Sequence, residues 1–170
     1  MRRINRFSRV TFIPSRAFGL DTSALYHVGY VVADIEAAMA QFSDAIGARW
    51  VDHTVHARYL DENKKQVDTD LHTSFSLDGP VHIELIEAAP GTIWDLRTGA
   101  AIHHVGLWTD DVAAEAQRLI DSGMPVIAGG LDNDDPLVPG FFSYHRNPQG
   151  GNLELVHIDK QHVMHEWMRA

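Results

Sequence analysis

Two glutamates in this sequence stand where an ionised group is expensive. Glu84 lies in His82-Ile83-Glu84-Leu85-Ile86 and Glu154 in Asn152-Leu153-Glu154-Leu155-Val156. A carboxylate within an apolar strand needs a cation or hydrogen-bond donors to compensate it. Two histidines sit in strands of similar character, His27 in Tyr26-His27-Val28-Gly29-Tyr30-Val31 and His104 in His103-His104-Val105-Gly106-Leu107-Trp108. Two imidazoles and two carboxylates make a donor set for one divalent first-row ion, and an octahedral shell would keep two positions for water or substrate. Zinc, nickel, cobalt, manganese and iron all suit such ligands. Taken singly, each histidine reads more simply as a hydrogen-bonded core residue. The symmetric quartet is what points to a site.

Cysteine is absent. Disulfides, thiolate nucleophiles, iron–sulfur clusters and zinc ribbons are therefore excluded together. Any metal must be held by nitrogen and oxygen, for which eleven histidines offer material. Neighbours in an extended chain point to opposite faces, so only one of His103 and His104 can share a cavity with His27. The predicted ligand is His104, and His103 is expected against the helix layer or bonded to backbone.

The elements that must position these groups form a repeat. His27, Gly29, Asp34 and Ile35 match His104, Gly106, Asp111 and Val112, all at an offset of 77. Each copy reads as a strand followed by a helix. Asp34 is a candidate N-cap for a helix carrying Ile35, Ala38, Met39, Phe42 and Ile46 and stopped by Gly47. Asp110 or Asp111 opens a second, with Val112, Ala116, Leu119 and Ile120 inward before Gly123. Alternating segments follow, roughly 49–59, 71–77 and 81–87 in the first half and 126–128, 141–145 and 152–158 in the second. Both halves read βαβββ. Within the opening strands each glycine is expected to leave space beside the histidine.

With 170 residues, 45% of them apolar, the chain supports one α+β domain with a substantial core. That domain is expected over 23–160, with modules at about 25–89 and 100–159 joined by a short helical turn at 90–99. Residues 161–170 read as a C-terminal tail. Net charge is −9, which argues against a nucleic-acid partner. Arg2, Arg3, Arg6, Arg9 and Arg16 make residues 1–22 a basic extension without the apolar stretch of a secretory signal. No apolar run is long enough to span a membrane, and a cytoplasmic location is expected. His53, His56, His157, His162 and His165 read as solvated. Asp132-Asn133-Asp134-Asp135 begins like a calcium loop but lacks the later ligands, and is expected as a polar rim loop able to act as a lid.

The His-x-Gly strand followed by Asp-hydrophobic, the Glu-Leu-Ile-Glu strand, and Asn147-Pro148-Gln149-Gly150-Gly151-Asn152-Leu153-Glu154-Leu155 together resemble the vicinal oxygen chelate superfamily, over about residues 25–159. That superfamily includes glyoxalase I, methylmalonyl-CoA epimerase, extradiol dioxygenases, and fosfomycin and bleomycin resistance proteins. The resemblance implies two βαβββ modules side by side in an open, curled eight-stranded mixed sheet, with metal ligands at His27, Glu84, His104 and Glu154. It implies a small-molecule substrate with neighbouring oxygens, a homodimer, and isomerase, epimerase or lyase chemistry through an enediolate or enolate. Glu154 or Glu84 would serve as base. The look is nearest to methylmalonyl-CoA epimerases, which often carry an amide at the position of Glu84. The further acid expected on the middle strand of module 1 is missing, and His72 is a candidate replacement base. An iron-dependent ring-cleaving dioxygenase, calling on His145 and Tyr144 near the metal, and a metal-free binder walled by Trp50, Trp94, Trp108, Phe141 and Phe142 are the alternatives.

Overall fold

The computed structural model describes residues 22–98, 102–131 and 139–167. The basic extension and the Asp132–Asp135 loop lie outside them. Module 1 comprises β1 (Leu25–Val32), α1 (Ile35–Ile46), β2 (Trp50–Asp61), β3 (Gln66–Ser76) and β4 (His82–Glu87). Module 2 comprises β5 (His104–Thr109), α2 (Val112–Asp121), β6 (Val126–Leu131), β7 (Pro139–Arg146) and β8 (Asn152–His157). A seven-residue helix, α3 (Gln161–Trp167), follows where a tail was expected. No helix among the described residues is long and apolar enough to cross a membrane.

Each long helix starts as its sequence dictates. The Asp34 carboxylate accepts the Ala37 N–H at 2.9 Å, and Asp111, rather than Asp110, accepts that of Ala114 at 2.9 Å. Gly47 closes α1 at φ 74°, a left-handed conformation that a β-carbon disfavours. α2 buries Val112, Ala116 and Leu119 against Leu155 of β8. β3 starts five residues before its expected position, because its polar first half pairs with β2 all the way to Gln66↔Leu60.

The strands run in the order β1-β4-β3-β2-β6-β7-β8-β5. Curling goes further than the open sheet expected from sequence. β1 pairs antiparallel with β5, β2 with β6, and hydrogen bonding closes around a barrel. Closure pairs the sheet edges with each other, so an unpaired edge offers no support for the expected homodimer.

Closure also fixes where the chemistry sits. β4, β1, β5 and β8 align Gly29 with Glu84 on one side and His104 on the other, and Gly106 with His27 and Glu154. The two rows are related by the internal repeat. Each glycine makes room for the histidine of the opposite module rather than its own. A β-carbon on Gly29 would lie 1.9 Å from His104 Cε1, and one on Gly106 would lie 2.0 Å from His27 Cε1. No side chain fits at either position while the rings stay in place.

Candidate metal centre

Four side chains from four strands converge at the closed seam. His27 Nε2 and His104 Nε2 are 2.6 Å apart. Glu84 Oε2 lies 3.3 Å from the first and 3.0 Å from the second, and Glu154 Oε2 lies 3.1 and 3.4 Å away. Both imidazoles are at most 1% exposed and both glutamates 8%. One histidine and one glutamate come from each module.

The tautomer of His104 follows from its neighbour. His103 Nε2 lies 2.8 Å from the Ile93 carbonyl, which can only accept, so this nitrogen carries the proton. Burial and the adjacent His104 lower the His103 pKa to about 4, which keeps its ring neutral and leaves Nδ1 as an acceptor. His104 Nδ1, 3.0 Å away, donates to it. In a neutral His104 the remaining Nε2 then presents a bare lone pair to His27 and the two carboxylates. The doubled histidine is thus a ligand and the residue that holds it. The expected backbone bond of His103 is present, and β5 starts only at His104, so strand alternation does not separate the pair.

A lone pair 2.6 Å from a second ring nitrogen needs a positive centre nearby. Burial works against a charged His27 imidazole, yet the Glu84 and Glu154 carboxylates outweigh it and raise its pKa to about 9. His104 is likewise opposed by burial and raised on balance by hydrogen bonds with Glu154 and Glu84. Burial pushes both carboxylates up, and the imidazoles more than reverse it, so both fall below the usual range. His27 Nδ1 is buried without a hydrogen-bond partner among the described residues. A divalent cation fits this donor set, since one ion in place of the protons answers both carboxylates and both Nε2 atoms. His27, Glu84 and His104 have ligand atoms all within 4.8 Å of one another.

Two phenols complete the surroundings. The register slips by one residue between Leu25↔Leu107 and His27↔Gly106, and this β-bulge turns Tyr26 inward beside His27. The Tyr26 ring stacks on Trp108 at 3.8 Å and meets His27 edge-on at 4.2 Å. Tyr144, opposite Glu154 on the neighbouring strand, hydrogen-bonds to that carboxylate. Burial first, and then the two glutamate charges, push both phenols well above their ordinary pKa, so each remains a neutral donor. Strict alternation hides Tyr26. The only sequence signal for it is its repeat equivalence to His103.

His72 is not brought to this centre. Its β3 neighbour Thr73 lines the barrel interior, while His72 points outward and lies 2.9 Å from Asp52 and 3.3 Å from Glu87. Alternation along the strand puts it on the wrong face for a base. His145 is buried on the helix side, between Ser143 Oγ at 2.9 Å and the Met124 carbonyl at 3.1 Å, so of the pair invoked for dioxygenase chemistry only Tyr144 reaches the interior. Among the expected wall residues, Trp50 bonds to the Met39 carbonyl of α1 instead, and the other four line a cavity. His56, expected to be merely solvated, lies 2.7 Å from both Asp68 and Asp70.

The chain is similar to several known proteins. Residues 26–136 match the model of the Glyoxalase/Bleomycin resistance protein/Dioxygenase superfamily. A 2-epi-5-epi-valiolone epimerase of an Actinomyces species is 28% identical over 145 residues, covering 79% of each chain. An uncharacterized Bacillus subtilis protein is 27% identical over 132 residues, covering 76% of this chain and 93% of its own. Among solved structures, methylmalonyl-CoA epimerase from Mycobacterium tuberculosis superposes with a TM-score of 0.53 at 19% identity, covering 84% of this chain and 91% of that one. The Streptomyces coelicolor enzyme in complex with 2-nitronate-propionyl-CoA gives 0.52 at 20% identity, covering 78% and 92%.

Proposed function

The chain belongs to the Glyoxalase/Bleomycin resistance protein/Dioxygenase superfamily, and from that premise we propose that it is a metal-dependent isomerase, epimerase or lyase acting on a small molecule with neighbouring oxygens. The observation that carries this reading is the meeting of His27, Glu84, His104 and Glu154 at one buried point. The relative named as an epimerase supports the reaction class. A divalent ion held by these four would polarise the neighbouring oxygens and stabilise the enediolate or enolate left when the adjacent proton departs.

The remaining work falls to the chain itself. Glu154 takes the proton, and the neutral Tyr144 hydroxyl that donates to it orients the carboxylate. Glu84 occupies the equivalent place in the other module and is the second candidate base. The fourth protein ligand weighs against the ring-cleaving dioxygenase, which needs that position for oxygen.

Elemental analysis of the purified protein and of a His27→Ala/His104→Ala variant tests this reading. About one transition metal per chain, lost in the variant while its circular dichroism is kept, is the expected result. No metal in the unaltered protein, even after incubation with manganese, zinc, nickel and iron salts, would overturn it and favour a metal-free binding module.

A further inference from the structure

From His27, Glu84 and Glu154 the barrel interior continues as a cavity of about 180 Å³ that ends under α3. Its walls are aromatic and aliphatic, with Trp94, Trp108, Phe141, Phe142, Met164 and Trp167 prominent. An apolar cavity of about 150 Å³ holds one benzene ring. The space therefore suits a ring with a few further atoms. Lys160 is the single lysine or arginine among the lining residues, and it lies over the Phe141 ring at 4.8 Å. Among the described residues the walls present no cluster of cations to a substrate carrying several phosphates, and few donors to a polyol. One donor is conspicuous. Trp94 is 3% exposed and lines the cavity, yet its indole N–H has no acceptor among the described residues. A buried donor of this kind is destabilising unless something accepts from it.

We infer that the site takes a compact substrate with an apolar, ring-sized body lodged against these walls, its vicinal oxygens at the quartet, and an oxygen accepting from the Trp94 indole N–H. This rests on the metal-dependent reading above. It narrows the substrate class to small aryl- or alicyclic-bearing hydroxy or oxo compounds.

Mandelate and lactate share an α-hydroxycarboxylate head and differ in carrying a phenyl or a methyl group, so their comparison isolates the body. Calorimetric titration of the zinc-loaded full-length protein is expected to show mandelate binding about tenfold to a hundredfold more tightly than lactate. Trp94→Phe keeps a ring in the wall, and it is expected to weaken mandelate by about twofold to tenfold with zinc content unchanged. Equal affinities for the two acids, or no binding of either, would overturn the assignment of the cavity. An unchanged mandelate affinity in Trp94→Phe would overturn the role of the indole. Zinc content measured on the same samples reports the metal reading separately. Preference for phenyl without zinc would keep the cavity and remove the metal, and zinc without that preference would do the reverse.

Discussion

At the scale of single residues, the two histidines at 103 and 104 divide one task. His104 offers its Nε2 to the centre, while His103, pinned to the Ile93 carbonyl, decides which nitrogen of His104 is bare. Partners of this sort typically contribute 10–100-fold to metal affinity. His103→Phe fills the same volume but cannot accept from His104, and it should weaken zinc binding by roughly 10–100-fold in competition with a chromophoric chelator. His103→Gln, which can still accept, should recover part of that loss; equal affinity in both variants and the unaltered protein would dismiss the relay. The quartet was legible in the sequence because the same residue types recur in register across two modules. Tyr26 and the tie between His103 and His104 were not, since one depends on a bulge and the other on where β5 begins. His72 misled because a strand of polar and apolar residues does not announce which face lies inside.

At the scale of elements, the turn that carries Ile93 and Trp94 is set by one carboxylate. Asp95 accepts from the Arg97 guanidinium at 2.5 and 3.0 Å, from the Gly91 N–H at 2.9 Å and from the Arg97 N–H at 3.0 Å. These bonds, led by that of the Arg97 side chain, hold the carboxyl well below the usual range. A lowered folded-state pKa means that the stabilisation is complete above about pH 4, the ordinary Asp value, and is lost as pH falls through the folded value. Asp95→Asn should therefore lower the melting temperature at pH 7 and narrow the gap to the unaltered protein towards pH 2; a gap independent of pH would show that the carboxylate charge plays no part. The caps of α1 and α2 were readable, because a single aspartate side chain does the capping. α3 was not. Seven residues form no stable helix alone, and Met164 and Trp167 order this one by packing onto the barrel.

At the scale of the whole molecule, the centre joins what the chain duplicates. His27 and Glu84 belong to one module, His104 and Glu154 to the other, and the β1–β5 seam lies between them. An ion bound there would tie the halves together as well as polarise a substrate. Metal at a hundred times its dissociation constant adds about 2.7 kcal/mol, which for a chain of this size corresponds to a rise of roughly 5–10 °C in melting temperature. Hydrogen exchange should slow most in β1 and β5 when metal is added, and uniform protection across the barrel would contradict the clasp. The βαβββ duplication was visible in the sequence, whereas closure was not, because it depends on two pairings between strands far apart along the chain.

The crosswise fit of glycine and histidine has a consequence for how such a chain can vary. Position 29 is sterically bound to position 104, and position 106 to position 27, although neither pair lies within one repeat. A change that enlarges residue 29 is tolerable only with a smaller residue at 104, and that exchange removes a ligand. The two copies, free to drift apart elsewhere, are locked into shared inheritance at these four places, and an epistatic map of the protein should find its sharpest couplings between halves rather than within them.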